Sequence, residues 1–167
     1  MMRRYNRYFE EVFQKLYHSS NFDFVKGKVY KAIPIKGTFG DFEKLLEKYR
    51  PQNAVSRLLC FYTTGNKSYS SQFGGTIYNV TPVGKYTVCS LGWISILMDF
   101  CFDKGYVTGF SKKGYTLSKI RKEDIPFIQK CVVNYFTNVP IKKKDILGIR
   151  HTEYGVTEVL CTSIKIL

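Results

Sequence analysis

Apolar residues along this chain change period several times, and that alternation limits the fold more than any single motif. Tyr5, Tyr8, Phe9, Val12, Phe13, Leu16 and Tyr17 recur at the helical period of about 3.6 residues. Arg3, Arg7, Glu10, Glu11 and Lys15 lie on the opposite face. An amphipathic helix is therefore predicted within residues 1–20, closed by turn-forming residues from His18 to Asn21. Gly27–Pro34 reads as a strand, and a helix with Phe42, Leu45, Leu46 and Tyr49 as its stripe begins at Gly40-Asp41. Arg57–Thr64 and Gly75–Pro82 read as core strands separated by a loop and a short helix. Tyr86–Cys89 is a further short strand, and residues 91–103 form a helix. The glycine-rich aromatic stretch from Gly105 to Gly114 reads as loop or hairpin. Residues 123–137 form another helix, with Asp124 as N-cap and Pro126 in its first turn. The last segment, Val156–Leu167, is a strand followed by a final strand or tail. The order α-β-α-β-β-β-α-α-β predicts an α+β fold with small mixed or antiparallel sheets and packed helices.

Composition agrees with one folded domain over residues 1–167. The chain is 44% hydrophobic, near the level of an ordinary globular protein, and long enough to bury a core. No transmembrane span is expected, because Asp99 and Asp103 interrupt the longest apolar stretch, around Trp93–Met98. The basic start lacks the apolar region of a secretory signal. Five widely spaced cysteines (Cys60, Cys89, Cys101, Cys131 and Cys161) contain no CxxC pair. They read as buried structural thiols, which points to a reducing, cytoplasmic compartment. Neither His18 nor His151 has the context of a cysteine-nucleophile site.

Standard motifs for phosphate loops, dinucleotide turns, zinc proteases, serine hydrolases and calcium loops are missing, and no metal site is expected. One constellation remains. A strand carries Lys31, a second ends in Tyr62-Thr63-Thr64 and leads into Tyr69–Pro82, and a late strand carries Glu158. This arrangement resembles the mono-ADP-ribosyltransferase family, a fold of bacterial toxins and phage effectors. The resemblance spans residues 28–82 and 150–167. It implies an ADP-ribosyltransferase-like fold, NAD as the substrate cofactor, and transfer of ADP-ribose to a macromolecular target in a host cytosol. Under it Glu158 is catalytic and steadies the developing ribosyl cation. Lys31 holds the NAD phosphates or ribose, and Thr63, Thr64, Tyr69 and Tyr78 shape the cofactor pocket. A fixed carboxylate suits an oxocarbenium-like centre, and a cation suits a pyrophosphate. Lys31 stands where the family has Arg or His, and Val156 stands two residues before Glu158 where many members carry Glu or Gln. Glu153 is an alternative carboxylate. The reading requires Lys31, Thr63 and Glu158 to converge on one cleft.

The rival reading is a non-catalytic basic protein, viral or bacterial, that blocks a protein or nucleic-acid partner by contact. The net charge is +13, and it is uneven. Residues 104–150 hold 11 Lys or Arg against 3 Asp or Glu, so a basic helical insertion is expected at about residues 90–145. Lys112, Lys113, Lys119, Arg121, Lys122, Lys142, Lys143 and Lys144 are its candidate nucleic-acid contacts, interleaved with Tyr106, Phe110, Tyr115, Phe127 and Tyr135. Lone surface charge accounts for the same pattern with no partner at all.

Overall fold

The computed structural model describes residues 15–34, 40–145 and 155–167. The chain forms β1 (Leu16–Ser20), β2 (Val29–Lys31), α1 (Asp41–Lys48), β3 (Phe61–Thr64) and α2 (Lys67–Ser71). There follow β4 (Thr76–Pro82), β5 (Tyr86–Ser90), α3 (Gly92–Asp103), β6 (Val107–Ser111) and β7 (Gly114–Leu117). A 3-10 turn at Lys122–Asp124 leads into α4 (Ile125–Phe136), and a second lies at Lys143–Asp145. The chain closes with β8 (Thr157–Cys161) and β9 (Ser163–Ile166). The architecture is α+β.

Seven strands form one sheet in the order β2-β9-β4-β1-β3-β8-β5, and each neighbouring pair is antiparallel. A single large sheet thus replaces the small sheets that were expected, with β6 and β7 as a separate hairpin. In β8, Val159, Leu160 and Cys161 are all fully buried, because a central strand is covered on both faces.

The two faces make two cores. On one, α1, α3 and α4 bring Leu46, Trp93, Leu97, Ile128, Val132 and Phe136 against Cys89 and Leu160. On the other, Leu16, Val80, Val159, Cys161, Ile164 and Ile166 pack with Phe24, Phe61 and Tyr78. The stripe expected on α1 holds, with Phe42, Leu45 and Leu46 buried. So does the buried side of α4, with Ile128, Val132, Tyr135 and Phe136.

Three local expectations change. Leu16–Ser20 is a strand, not the end of a helix, because it pairs residue for residue with Thr76–Val80. Local helix period is a weak preference and sheet pairing overrides it. The remainder of the expected N-terminal helix, residues 1–14, lies outside the described residues. Arg57–Cys60 is a turn rather than the start of β3, since Glu47 on α1 accepts from the Arg57 N–H (3.0 Å) and the Ser56 hydroxyl (2.9 Å). Asp124 stands at the N-cap of α4, but its side chain makes no cap bond. It accepts instead from the Tyr106 hydroxyl and from Arg121.

Gly75 explains how the loop after α2 returns to the sheet. Its φ is +75°, and a Cβ there would lie 2.5 Å from the Ser20 carbonyl oxygen. Only glycine fits a left-handed residue pressed that closely against backbone.

Candidate active site

Sheet register assembles the site. Tyr17 on β1 faces Thr64 on β3, Thr64 faces Glu158 on β8, and Glu158 faces Cys89 on β5. Directly opposed residues project from the same face of a sheet. Tyr17, Thr64 and Glu158 therefore form one cross-strand row on the face that carries the helices. A cleft of about 470 Å³ opens over this row. The strands β1 and β3 contribute Tyr17, Ser19, Tyr62 and Thr64 to its wall, and α2 with the loop after it contributes Tyr69, Ser70 and Phe73. Leu91 and Ile94 close the side nearest α3, and Arg57 and Glu158 stand together in the lining.

The wall from α2 is anchored locally. Asn66 caps this short helix by accepting from the Tyr69 N–H at 2.9 Å. The Ser19 hydroxyl on β1 donates to the Ser70 carbonyl at 2.6 Å and lies 2.8 Å from the Ser70 hydroxyl. Tyr69 and Phe73 meet edge to face with centroids 5.3 Å apart, and Phe73 is exposed at the rim.

Glu158 is held rather than free. It is 6% exposed although it sits on a strand. Arg57 Nη1 donates to Glu158 Oε2 at 3.0 Å, and the Tyr135 hydroxyl from α4 donates to the same oxygen. The other nitrogens of Arg57 grip Glu43 on α1, with Nε and Nη2 each at 3.0 Å from its oxygens. The guanidinium also lies 5.0 Å from the Tyr62 ring centre and 5.4 Å from that of Tyr135. Burial opposes the charge on Arg57, but its neighbours, with the Glu158 and Glu43 carboxylates carrying the opposite charge, more than offset it and hold the guanidinium protonated. Burial also pushes the Tyr135 and Tyr62 phenols up, so both remain hydrogen-bond donors.

The expected site residues separate into two groups. Glu158, Thr64 and Tyr69 meet at the cleft. Thr64 Oγ1 donates to the Thr157 carbonyl at 3.0 Å, which ties the ends of β3 and β8 together. Thr63 also borders the cleft, but its register partner is Val159 and its side chain belongs to the opposite face. Its hydroxyl donates to the Val159 carbonyl at 2.9 Å. Lys31 does not approach Glu158, and with the Thr63 side chain on the other face the convergence of Lys31, Thr63 and Glu158 on one cleft is not met. Lys31 is exposed on the edge strand β2, paired with Ser163, and five strand spacings from β8. At about 4.8 Å per spacing, that is roughly 24 Å along the sheet. Tyr78 packs on the far face, where its hydroxyl donates to the Phe22 carbonyl (3.0 Å) and its ring meets Phe24. The strand beside Thr64 is β1, not the strand of Lys31, and the cation beside Glu158 is Arg57. Glu153 and His151 lie outside the described residues.

Sequence reading missed Arg57, Glu43 and Tyr17, and placed Tyr135 on a buried helix face without giving it a role. A buried tyrosine hydroxyl needs a partner, which is the signal that Tyr135 offered. The segment expected as a helical insertion holds α3, the β6–β7 hairpin and α4, and through Tyr135 it completes the site.

Of the expected nucleic-acid contacts, Lys112 and Lys113 lie at the β6–β7 turn, and Lys119 and Lys122 are exposed after it. Arg121 is committed internally: it stacks 4.7 Å from the Tyr106 ring centre and pairs with Glu123 and Asp124. Lys142 and Lys144 are exposed around the second 3-10 turn, and the side chain of Lys143 lies outside the described residues. Among the described residues there is no group of three His, Cys, Asp or Glu placed to hold a metal, and no helix long and apolar enough to cross a membrane. No family model, curated protein or solved structure matches this chain.

Proposed function

We propose that the chain cleaves the nicotinamide–ribose bond of NAD and transfers ADP-ribose to a macromolecular acceptor. Lys31 and the Thr63 side chain do not join Glu158, so the reading rests on a different observation: Tyr17, Thr64 and Glu158 share a cross-strand row beneath the aromatic-walled cleft. A cleft of about 470 Å³ is within the usual range of about 300–1,000 Å³ for small-molecule sites. It suits the nicotinamide–ribose half of NAD, with Tyr69 and Phe73 offering rings to a flat heterocycle. Glu158 would face the ribosyl carbon as positive charge develops there, and its fixed geometry favours that role. Arg57 is the one Lys or Arg in the cleft lining among the described residues, but Glu43 and Glu158 engage it. The phosphates of NAD are therefore not assigned to it, nor to Lys31. The five cysteines are all free thiols, four of them buried, which fits a reducing compartment.

The non-catalytic alternative draws on the same carboxylate, since a glutamate with two firm donors can be purely structural. Nicotinamide release separates the two. Full-length protein with NAD, alone and with a cell lysate as acceptor source, should release nicotinamide measurable by chromatography. Glu158→Gln should abolish release while the protein stays folded by circular dichroism. Lys31→Ala should leave it unchanged. No release by the wild type, or full release by folded Glu158→Gln, overturns the reading.

A further inference from the structure

We propose that the β6–β7 hairpin and the last turn of α3 form a docking surface for single-stranded nucleic acid. Three rings meet there outside both cores. Tyr115 lies 5.2 Å from Phe102 and 4.9 Å from Phe110 between ring centres. Phe110 is 73% exposed and Phe102 49%. Burial in this fold does not explain them, because their neighbours Val107 and Leu117 are the hairpin residues that reach the core.

Charge names the partner. Residues 102–122 contain six Lys or Arg and a single acidic residue, Asp103. Lys112, Lys119 and Lys122 are exposed and make no ion pair among the described residues. A cationic surface with open aromatic faces is the requirement for single strands: the lysines meet phosphates and unstacked bases lie on the rings. A duplex hides its base faces, and an acidic peptide presents flat groups only where it carries aromatic side chains, whereas every nucleotide of a single strand offers one.

The platform is also fixed in advance. Asp41 on α1 accepts from the Leu117 N–H at 2.9 Å. Gly40 lets α1 approach so closely that a Cβ there would lie 2.2 Å from the Lys113 carbonyl oxygen. A surface held this way loses less freedom when a strand binds. The surface is separate from the cleft: Phe102 is eight residues beyond Ile94 on α3, about 12 Å along the helix.

The test uses full-length protein and fluorescently labelled 12-mers of oligo-dT and oligo-U, with anisotropy read between 50 and 200 mM salt. At least one 12-mer should bind, and the tighter of the two identifies DNA or RNA as the source. Phe110→Ala should weaken binding by roughly fivefold to a hundredfold at fixed salt. Phe110→Trp should retain it. Lys112→Glu should make the salt dependence shallower, by about 0.7 in log–log slope for each phosphate that is no longer neutralised. Phe110 is exposed, so these variants should fold as the wild type does. The +13 charge alone will attract polyanions, so binding that is indifferent to Phe110→Ala overturns the proposal. Equal competition by base-free polyphosphate, preferential capture by phosphatidylserine vesicles, or no binding at 50 mM salt does the same. Binding needs no NAD, so the outcome is independent of the catalytic reading.

Discussion

The Tyr135 hydroxyl, on α4, donates a hydrogen bond to Glu158 Oε2 on β8, the same oxygen that Arg57 meets at 3.0 Å. Three segments far apart in the chain thereby fix one carboxylate. The oxygen faces two donors, so its position depends on α4 as much as on the sheet. Removing either donor should be felt by the whole domain.

Tyr135→Phe tests the hydroxyl alone. The ring keeps its place in the core, but the hydrogen bond donated to the buried Glu158 carboxylate and the one accepted from Arg57 Nη1 (2.5 Å) both disappear. The expected loss is about 1.5–3 kcal/mol, read as a lower urea midpoint at unchanged slope. A midpoint equal to that of the wild type would mean the hydroxyl contributes nothing net.

Arg57 anchors two carboxylates, and its side chain is 11% exposed. Arg57→Leu should cost about 3–5 kcal/mol, because it leaves a buried charge unpaired. Combining it with Glu158→Leu should recover part of that loss, because the unpaired charge is then removed as well. Additive losses in the double variant, measured by chemical unfolding, would show that the two side chains are not coupled.

His18 supplies a pH dependence. Burial lowers the imidazole pKa below its ordinary value near 6.5, and the bond from the ring to the Tyr62 carbonyl (2.8 Å) offsets this only in part. The folded state therefore binds a proton at His18 less readily than the unfolded state does. Stability from this group is fully present above about pH 6.5, the unfolded value. It is lost as pH falls through that value toward the lower folded one. The thermal midpoint of the wild type should fall between pH 7 and pH 5, and His18→Gln should flatten that part of the curve. An identical slope in the variant would remove His18 as the cause.

The thiols should be inert in the folded protein. Burial pushes Cys60, Cys131 and Cys161 up to about 12 and Cys101 up to about 11. The thiolate is the reactive form, so alkylation at pH 8 should be at least about a hundredfold slower in the native state than in guanidinium. Mass spectrometry reads the number of modified cysteines directly. Rapid modification of the half-buried Cys60 in the native protein would contradict its raised pKa.

Much of the fold was legible in local pattern. The stripe of α1, the buried side of α4, β4 and the short helix between β3 and β4 follow from period and from turn residues. Glu158 as a strand carboxylate follows in the same way, whereas its grouping with Thr64 and Tyr69 came only from the resemblance to ADP-ribosyltransferases. The failures share one cause. Leu16 and Tyr17 continue a helical period, yet β4 takes them into the sheet. Thr63 and Thr64 look alike as neighbours, yet the pleat sends them to opposite faces. Lys31 seemed a partner of Glu158, but strand order puts most of the sheet between them.

By itself, then, the sequence determined most of the helices and strands (though not β1), which of their faces are apolar, and that positive charge gathers between residues 104 and 150. Those properties are local, because they depend on residues a few positions apart. Tertiary structure alone decided that β1 lies beside β3, that Arg57 and Tyr135 hold Glu158, and that Phe102, Phe110 and Tyr115 meet at the surface. Each of these joins distant parts of the chain through sheet pairing or helix packing, and neither the pairing partner nor the register is encoded in any short window.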